Sequence, residues 1–189
     1  MRHGNADPIK KGGSDISRDL SKKGVSQAQK LNKKFKGITF DHIFCSPAQR
    51  AFQTLNNAVD GAWSPATWTC CWQLYGGDMQ ELEDMFAVHG YAPLSAYFSD
   101  HRSETLRSYA KNVAKIIEGT LGAALATDNM KNKSEVNVLI VGHAVSLNAI
   151  ALYLFESESP FNEGQTQRTS CAEKVLGETE YMVLDIVQK

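Results

Sequence analysis

The sequence predicts an α/β fold: a three-layer sandwich with a mainly parallel central sheet flanked by helices. Short runs rich in β-branched and aromatic residues, Ile43-Phe44-Cys45 and Val136 to Val141, alternate with longer stretches of helical periodicity. Two distinctive segments, Ser46-Pro47-Ala48-Gln49-Arg50 and Gly142-His143, fall where a strand pattern hands over to a helix pattern. Strands alternating with helices build a sheet that is covered by helices.

In chain order, residues 5–19 lack periodicity and read as a loop, most flexible at Gly12-Gly13. Ser21 can cap a helix to about Phe35, with Val25, Ala28, Leu31 and Phe35 on one face. Ile43-Phe44-Cys45 reads as a short buried strand, and Ser46-Pro47 supplies a cap and first-turn proline for a helix to about Val59. Residues 60–77 are read as loop with one short strand at most. Asp78 to Glu81 opens a helix that Gly90 ends. The clearest helix runs from about Glu104 to Ala126, capped by Ser103, with Leu106, Tyr109, Ala110, Val113, Ile116, Ile117, Leu121 and Ala124 as its stripe. After a polar loop, Val136 to Val141 is a buried strand and 144–155 an apolar helix. Residues 156–177 are polar and irregular, and Glu180 to Val187 alternates like a final strand.

The 189 residues suffice for one domain, 1–189, with its own core. A net charge of −1 supplies no basic field, so neither nucleic acid nor a membrane surface is an expected partner. Lys22, Lys23, Lys30, Lys33, Lys34 and Lys36 are expected to form the solvated face of one helix. Cys45, Cys70, Cys71 and Cys171 make no CxxC pair or zinc spacing and read as free thiols. Residues 1–36 are polar and lysine-rich, so no signal peptide is expected; a cytoplasmic location fits both observations. His42 is expected to be exposed, and His89 and His101 lack metal spacing. Trp63, Trp68 and Trp72 read as core or loop anchors, or as an aromatic wall over a pocket.

In open α/β sheets, ligands sit at the carboxyl ends of strands, where helix N-termini begin. Arg50 lies in such a first turn, where its guanidinium and unpaired backbone N–H groups can face one anion. Arg2-His3-Gly4, Ser46-Pro47-Ala48-Gln49-Arg50-Ala51 and Gly142-His143 place two arginines and two histidines in an order suited to seizing a phosphoryl group and moving it onto an imidazole.

With Leu20-Ser21-Lys22-Lys23-Gly24 and Phe52-Gln53-Thr54 added, this set resembles the histidine phosphatase, or phosphoglycerate mutase-like, superfamily. Its small branch, which contains the SixA phosphohistidine phosphatase, is the most similar in length and in Arg18-Asp19-Leu20-Ser21. The resemblance spans nearly the whole chain, more loosely over 60–101 and 156–177. It implies His3 as the nucleophile, and Arg2, Arg50 and His143 as the groups that hold and stabilise the phosphoryl oxygens. It implies Arg18 as a further phosphate-binding arginine, unless Arg18 is paired with Asp15 or Asp19. No metal or cofactor is implied, and the expected partner is a phosphorylated small molecule or a phosphohistidine protein. Two other readings stay open: a degenerate phospho-ligand-binding protein without turnover, and a mutase.

There are two departures from the family pattern. Larger members carry a glutamate that protonates the leaving alkoxide, after the segment resembling Gln73-Leu74-Tyr75. Here Asp78 and Glu81 are the nearby carboxylates, and their spacing is equally that of a helix capping box. Glu81 is the candidate acid. The family also places a buried strand before Arg-His-Gly. The chain begins at Met1, so the domain is expected to lack that first strand; its loss would leave neighbouring backbone groups unpaired, which implies either a truncated or misassigned start or a rearranged sheet.

Overall fold

A computed structural model of the chain describes residues 1–59, 68–77, 79–127, 133, 135–154 and 174–183. Strand β1, His42–Cys45, is buried along its whole length. It lies between β2, Trp68–Cys70, and β3, Val138–Val141, both parallel to it, with Ile43 opposite Trp68 on one side and Leu139 on the other. Side chains alternate across a strand. Phe44 therefore enters one core while Ile43 and Cys45 enter a second, behind the sheet.

Helices α1, Lys22–Phe35, and α2, Gln49–Val59, cover the second face, where Leu31 and Phe35 meet Ala51, Leu55 and Ala58. Helices α3, Gln80–His89, α4, Leu94–Phe98, α5, Ser103–Leu125, and α6, Ala144–Tyr153, contribute to the first core. There Leu106, Val113 and Ile117 pack with Leu147 and Ile150. This is the predicted three-layer α/β sandwich.

The Ser21 cap is as expected: its side chain accepts from the Gly24 amide. The six clustered lysines are all exposed along and just beyond α1. Close packing explains Gly24, where a Cβ would overlap the Asn5 carbonyl oxygen. Helix α1 can therefore lie directly against the segment that follows His3.

Several local expectations are corrected. His42 is buried, not exposed, because it belongs to the central strand; its Nε2 meets Thr69 Oγ1 at 3.0 Å and its ring packs on Phe44. Pro47 precedes α2 rather than joining its first turn. The residue before α3 is Met79, and the cap position of α5 is Arg102, not Ser103. Ile116, assigned to the apolar stripe of α5, is partly exposed at the edge of that face. Glu180 to Val183 are irregular, although the Glu180 carbonyl accepts from the Arg2 amide at 2.9 Å. Helix α4 was not foreseen, since its five residues are too few to show a period. Expectations for 60–67 with Trp63, Asp78, most of 128–134, 155–173 with Cys171, and 184–189 lie outside the described residues.

Met1 to His3 run beside the carboxyl end of β3. The Met1 nitrogen donates to the Ile140 carbonyl at 2.7 Å, the Gly142 amide to Met1 at 3.1 Å, and the His3 amide to Gly142 at 3.0 Å. Arg2 pairs with Gly142 as in a parallel ladder. Among the described helices, none is long and apolar enough to cross a membrane.

Candidate functional site

Three segments converge at the carboxyl ends of the strands: Ser46 follows β1, Gly142-His143 follows β3, and Met1 to His3 run beside β3. The His3 and His143 rings consequently lie 5.1 Å apart, centroid to centroid. Helix α2 ties them to the surrounding loops through residues three and four apart, which share a helix face. Arg50 reaches His3, Gln53 accepts from the Leu20 amide and donates to Asp19, and buried Thr54 accepts from the Gly4 amide at 2.9 Å.

His3 Nε2 accepts from Arg50 Nε at 3.2 Å, so its proton sits on Nδ1, which donates to the Gly4 carbonyl at 2.7 Å. Burial lowers its pKa to about 4, and the charges of Arg50, Arg2 and Arg18 act the same way against the opposing hydrogen bond to Gly4. The ring is therefore neutral at pH 7, with a lone pair at Nε2.

His143 holds the opposite tautomer. Its Nδ1 accepts from Arg50 Nη2 at 3.4 Å, and its Nε2 donates to buried Ser46 Oγ at 3.0 Å. Burial, with the Arg50 and Arg2 charges, keeps it well below the usual histidine range. Ser46 thus does more than the capping foreseen for it, accepting also from the Ala48 amide.

The arginines are anchored differently. Buried Arg50 donates through Nη1 to the Asp15 carbonyl at 2.6 Å and through Nη2 to the Asp15 carboxylate at 2.7 Å. Arg18 donates to the same carboxylate at 3.0 Å and to the Asp7 carbonyl at 2.7 Å, so the pairing with Asp15 foreseen as an alternative is present. Buried Arg2 donates to the Leu176 carbonyl and the Tyr91 hydroxyl, both at 2.9 Å, and its guanidinium lies 4.5 Å from the Tyr91 ring centre.

Asp15 sits in a short 3-10 turn, Asp15–Ser17, and also accepts from the Tyr75 hydroxyl at 3.1 Å. Partial burial opposes its ionisation, but the Arg50 charge and the hydrogen bonds from Arg18, Arg50 and Tyr75 prevail and hold its pKa below the ordinary value. Sequence reasoning saw Asp15 only as a partner for Arg18. It missed Tyr75 and Tyr91 as site residues. The three-residue spacing from Asp15 to Arg18 was a usable signal; Tyr91 follows a helix-ending glycine and carried none.

All five residues named from the Arg-His-Gly, Arg50 and Gly-His motifs and from Arg18 (Arg2, His3, Arg18, Arg50 and His143) line a single cavity of about 500 Å3. Glu81 does not line it. Its carboxylate accepts a hydrogen bond from Thr105 on α5. Residues two apart on a helix point to nearly opposite sides, and the α3 carboxylate that lines the cavity is Glu83. A further carboxylate of the lining, beside Asp15 and Glu83, is Glu178, which is held by Asn5, Gln27 and Lys23. Although partial burial opposes its ionisation, those contacts lower its pKa to about 2.

The arrangement offers an uncharged nitrogen lone pair beside three guanidinium groups. That combination can receive an electrophile carried on an anion.

Residues 1–181 match the family model for the histidine phosphatase superfamily, branch 1. Among solved structures, the chain is similar to a mycobacterial glucosyl-3-phosphoglycerate phosphatase, at 17% identity and a TM-score of 0.56, covering 94% of this chain and 84% of that one. It is similar to a phosphoserine phosphatase from Entamoeba histolytica, solved with 3-phosphoglyceric acid, at 18% identity, a TM-score of 0.54 and the same coverage. It also resembles the protein histidine phosphatase SixA complexed with tungstate, at 20% identity and a TM-score of 0.50, covering 85% of this chain and 77% of that one. At these identities the likenesses establish a common fold.

Proposed function

Because the chain belongs to branch 1 of the histidine phosphatase superfamily, we propose that it is a metal-independent phosphatase acting through a phosphohistidine at His3. One observation carries this reading: a neutral His3 whose Nε2 lone pair lies in the cavity next to Arg50. In the first step Nε2 attacks phosphorus, and the bond to the leaving group breaks with its electron pair. In the second, water attacks the phosphohistidine, the P–N bond breaks, and His3 recovers its lone pair as inorganic phosphate departs.

Arg50 Nε moves from the His3 lone pair to a phosphoryl oxygen. Arg2 and Arg18 complete the cationic cradle, stabilising charge that spreads over the oxygens in the transition state. His143 joins as a donor once the incoming anion raises its proton affinity.

With Glu81 turned to α5 and Asp15 and Glu178 held ionised by their partners, Glu83 alone among the described cavity carboxylates is left to act as an acid, and substrates that need little proton help are favoured. A phosphorylated imidazole, free or on a protein, and an aryl phosphate are of that kind. The site's cationic cradle and its nucleophile suit a phosphorylated ligand; among the described residues, the cavity lining includes no second cationic cluster of the sort a mutase would need for another acidic group.

Hydrolysis of phenyl phosphate tests the reading. Brief incubation and an alkaline quench should trap acid-labile phosphate on His3, His3→Ala should abolish both trapping and turnover, and the rate should be unchanged in chelator. Near-normal activity in His3→Ala, or loss in chelator reversed by a divalent metal, would refute it. A second reading, phospho-ligand binding without turnover, is favoured by the Asp15 carboxylate that already engages both Arg18 and Arg50. Vanadate binding with no hydrolysis of any phosphate in the wild type would establish that reading instead.

A further inference from the structure

The cavity is lined by two unlike sets of side chains. One is the cluster of His3, Arg2, Arg18, Arg50 and His143; the other is a largely apolar wall that includes Leu82, Phe86, Tyr91, Tyr97 and Leu106. Within that wall two large rings remain uncovered: Phe86 is 43% exposed and Tyr91 56%. They meet edge to face, with centroids 5.3 Å apart and planes at 83°. Tyr91 is also the residue whose ring and hydroxyl hold the Arg2 guanidinium. A continuous path therefore runs from the phosphate-binding cluster, through Arg2 and Tyr91, to the face of Phe86.

We propose that Phe86 and Tyr91 form a stacking subsite for a planar aromatic leaving group on the phosphorylated substrate. This deepens the phosphatase reading above and rests on its placement of phosphate at His3 and Arg2. Helical spacing supports it, because Leu82, Glu83 and Phe86 lie three and four apart and so present one side of α3 to the cavity. Two rings at right angles offer an incoming ring both a face and an edge, the arrangements aromatic pairs prefer.

A polyhydroxylated leaving group is poorly served here. Hydroxyls placed against Leu82, Phe86 and Leu106 would lose water without a partner there, which is costly. An aryl or imidazole ring loses little water and gains contact. The same ring that departs readily without an acid is thus the ring this wall accommodates.

Binding of two non-hydrolysable probes, phenylphosphonate and methylphosphonate, separates this subsite from the chemistry. Titration calorimetry on the wild-type chain should show phenylphosphonate binding about two- to tenfold more tightly, the ratio an aromatic pair produces. Phe86→Leu keeps apolar bulk at an exposed site and should bring the ratio of the two Kd values close to one. Equal affinities in the wild type, or a preference that survives Phe86→Leu, would overturn the subsite. Phenyl phosphate turnover is measured in parallel. A ring preference abolished by Phe86→Leu, without any turnover, would remove the hydrolytic reading and leave the subsite standing. If neither phosphonate binds, the subsite falls together with the phosphate site.

Discussion

At the scale of single residues, the site depends on which groups are charged. His3 should remain neutral at pH 6, where an ordinary histidine is mostly protonated; NMR titration of its ring should give a midpoint near 4. Below about 6.5 the unfolded chain binds a proton there that the folded chain refuses until about 4, so stability falls as pH drops through that window. A His3 midpoint above 6 would contradict the burial that causes the shift. Arg50 and Arg18 differ in a way that predicts unequal costs. Arg50 is buried against both histidines, whereas Arg18 stands on a loop with Asp15. Arg50→Ala should lower kcat/KM for phenyl phosphate by about 10²–10³, the usual cost of losing a preorganised donor. Arg18→Ala should cost distinctly less, and equal small losses would place the phosphate elsewhere. Glu81→Gln should change the aryl rate little, since its carboxylate serves α5.

At the scale of elements, α2 organises the site. Arg50, Gln53 and Thr54 project from one side of it to His3, to Leu20 and to Gly4, so one helix sets the register of two loops. Helix α1 completes the wall by lying directly on the chain after His3, which only a glycine at position 24 allows. Gly24→Ala sets two effects against each other. Alanine in a helix gains about 0.5–1 kcal/mol over glycine. Overpacking against fixed backbone costs about 1–3 kcal/mol. The obstruction is the Asn5 carbonyl, which is backbone, so the loss should win. Thermal unfolding should show a lower midpoint, together with weaker phenylphosphonate binding as the His3 segment shifts. A raised midpoint would mean that α1 can slide away without harm.

At the scale of the whole molecule, the sheet is a thin partition between two cores, and β1 is the element common to both. Phe44, wholly buried on one side of it, packs within the core formed with α5 and α6. Phe44→Ala should destabilise the fold by about 3–5 kcal/mol. That is a large fraction of the 5–15 kcal/mol that holds a typical domain together. Urea unfolding would measure it, and a change under about 1 kcal/mol would mean that the two cores are not mechanically joined through β1. The free-energy loss should reach the site, because His3, Ser46 and His143 are all positioned by strand ends of this one sheet.

Much of this was legible in the residues alone. A periodic apolar stripe revealed α1 and α5, capping and stop residues marked α2 and α3, and short or uniform apolar runs marked α6, β1 and β3, because burial and chain ends leave their mark locally. The motifs pointed to Arg2, His3, Arg18, Arg50 and His143 as a group, and the fold does bring them to one cavity. Other features depended on contacts between distant segments. His42 looked like an exposed residue before a strand, but parallel partners on both sides bury it. Glu81 looked like an acid near the site, but the rotation of α3 gives that side of the cavity to Glu83 and Phe86. Asp15 as the partner of Arg50, and Tyr91 as the partner of Arg2, join residues 35 and 89 positions apart. Local sequence carries the period of an element and the chemistry of its side chains. Which side of that element faces which neighbour is decided only when the layers close on one another.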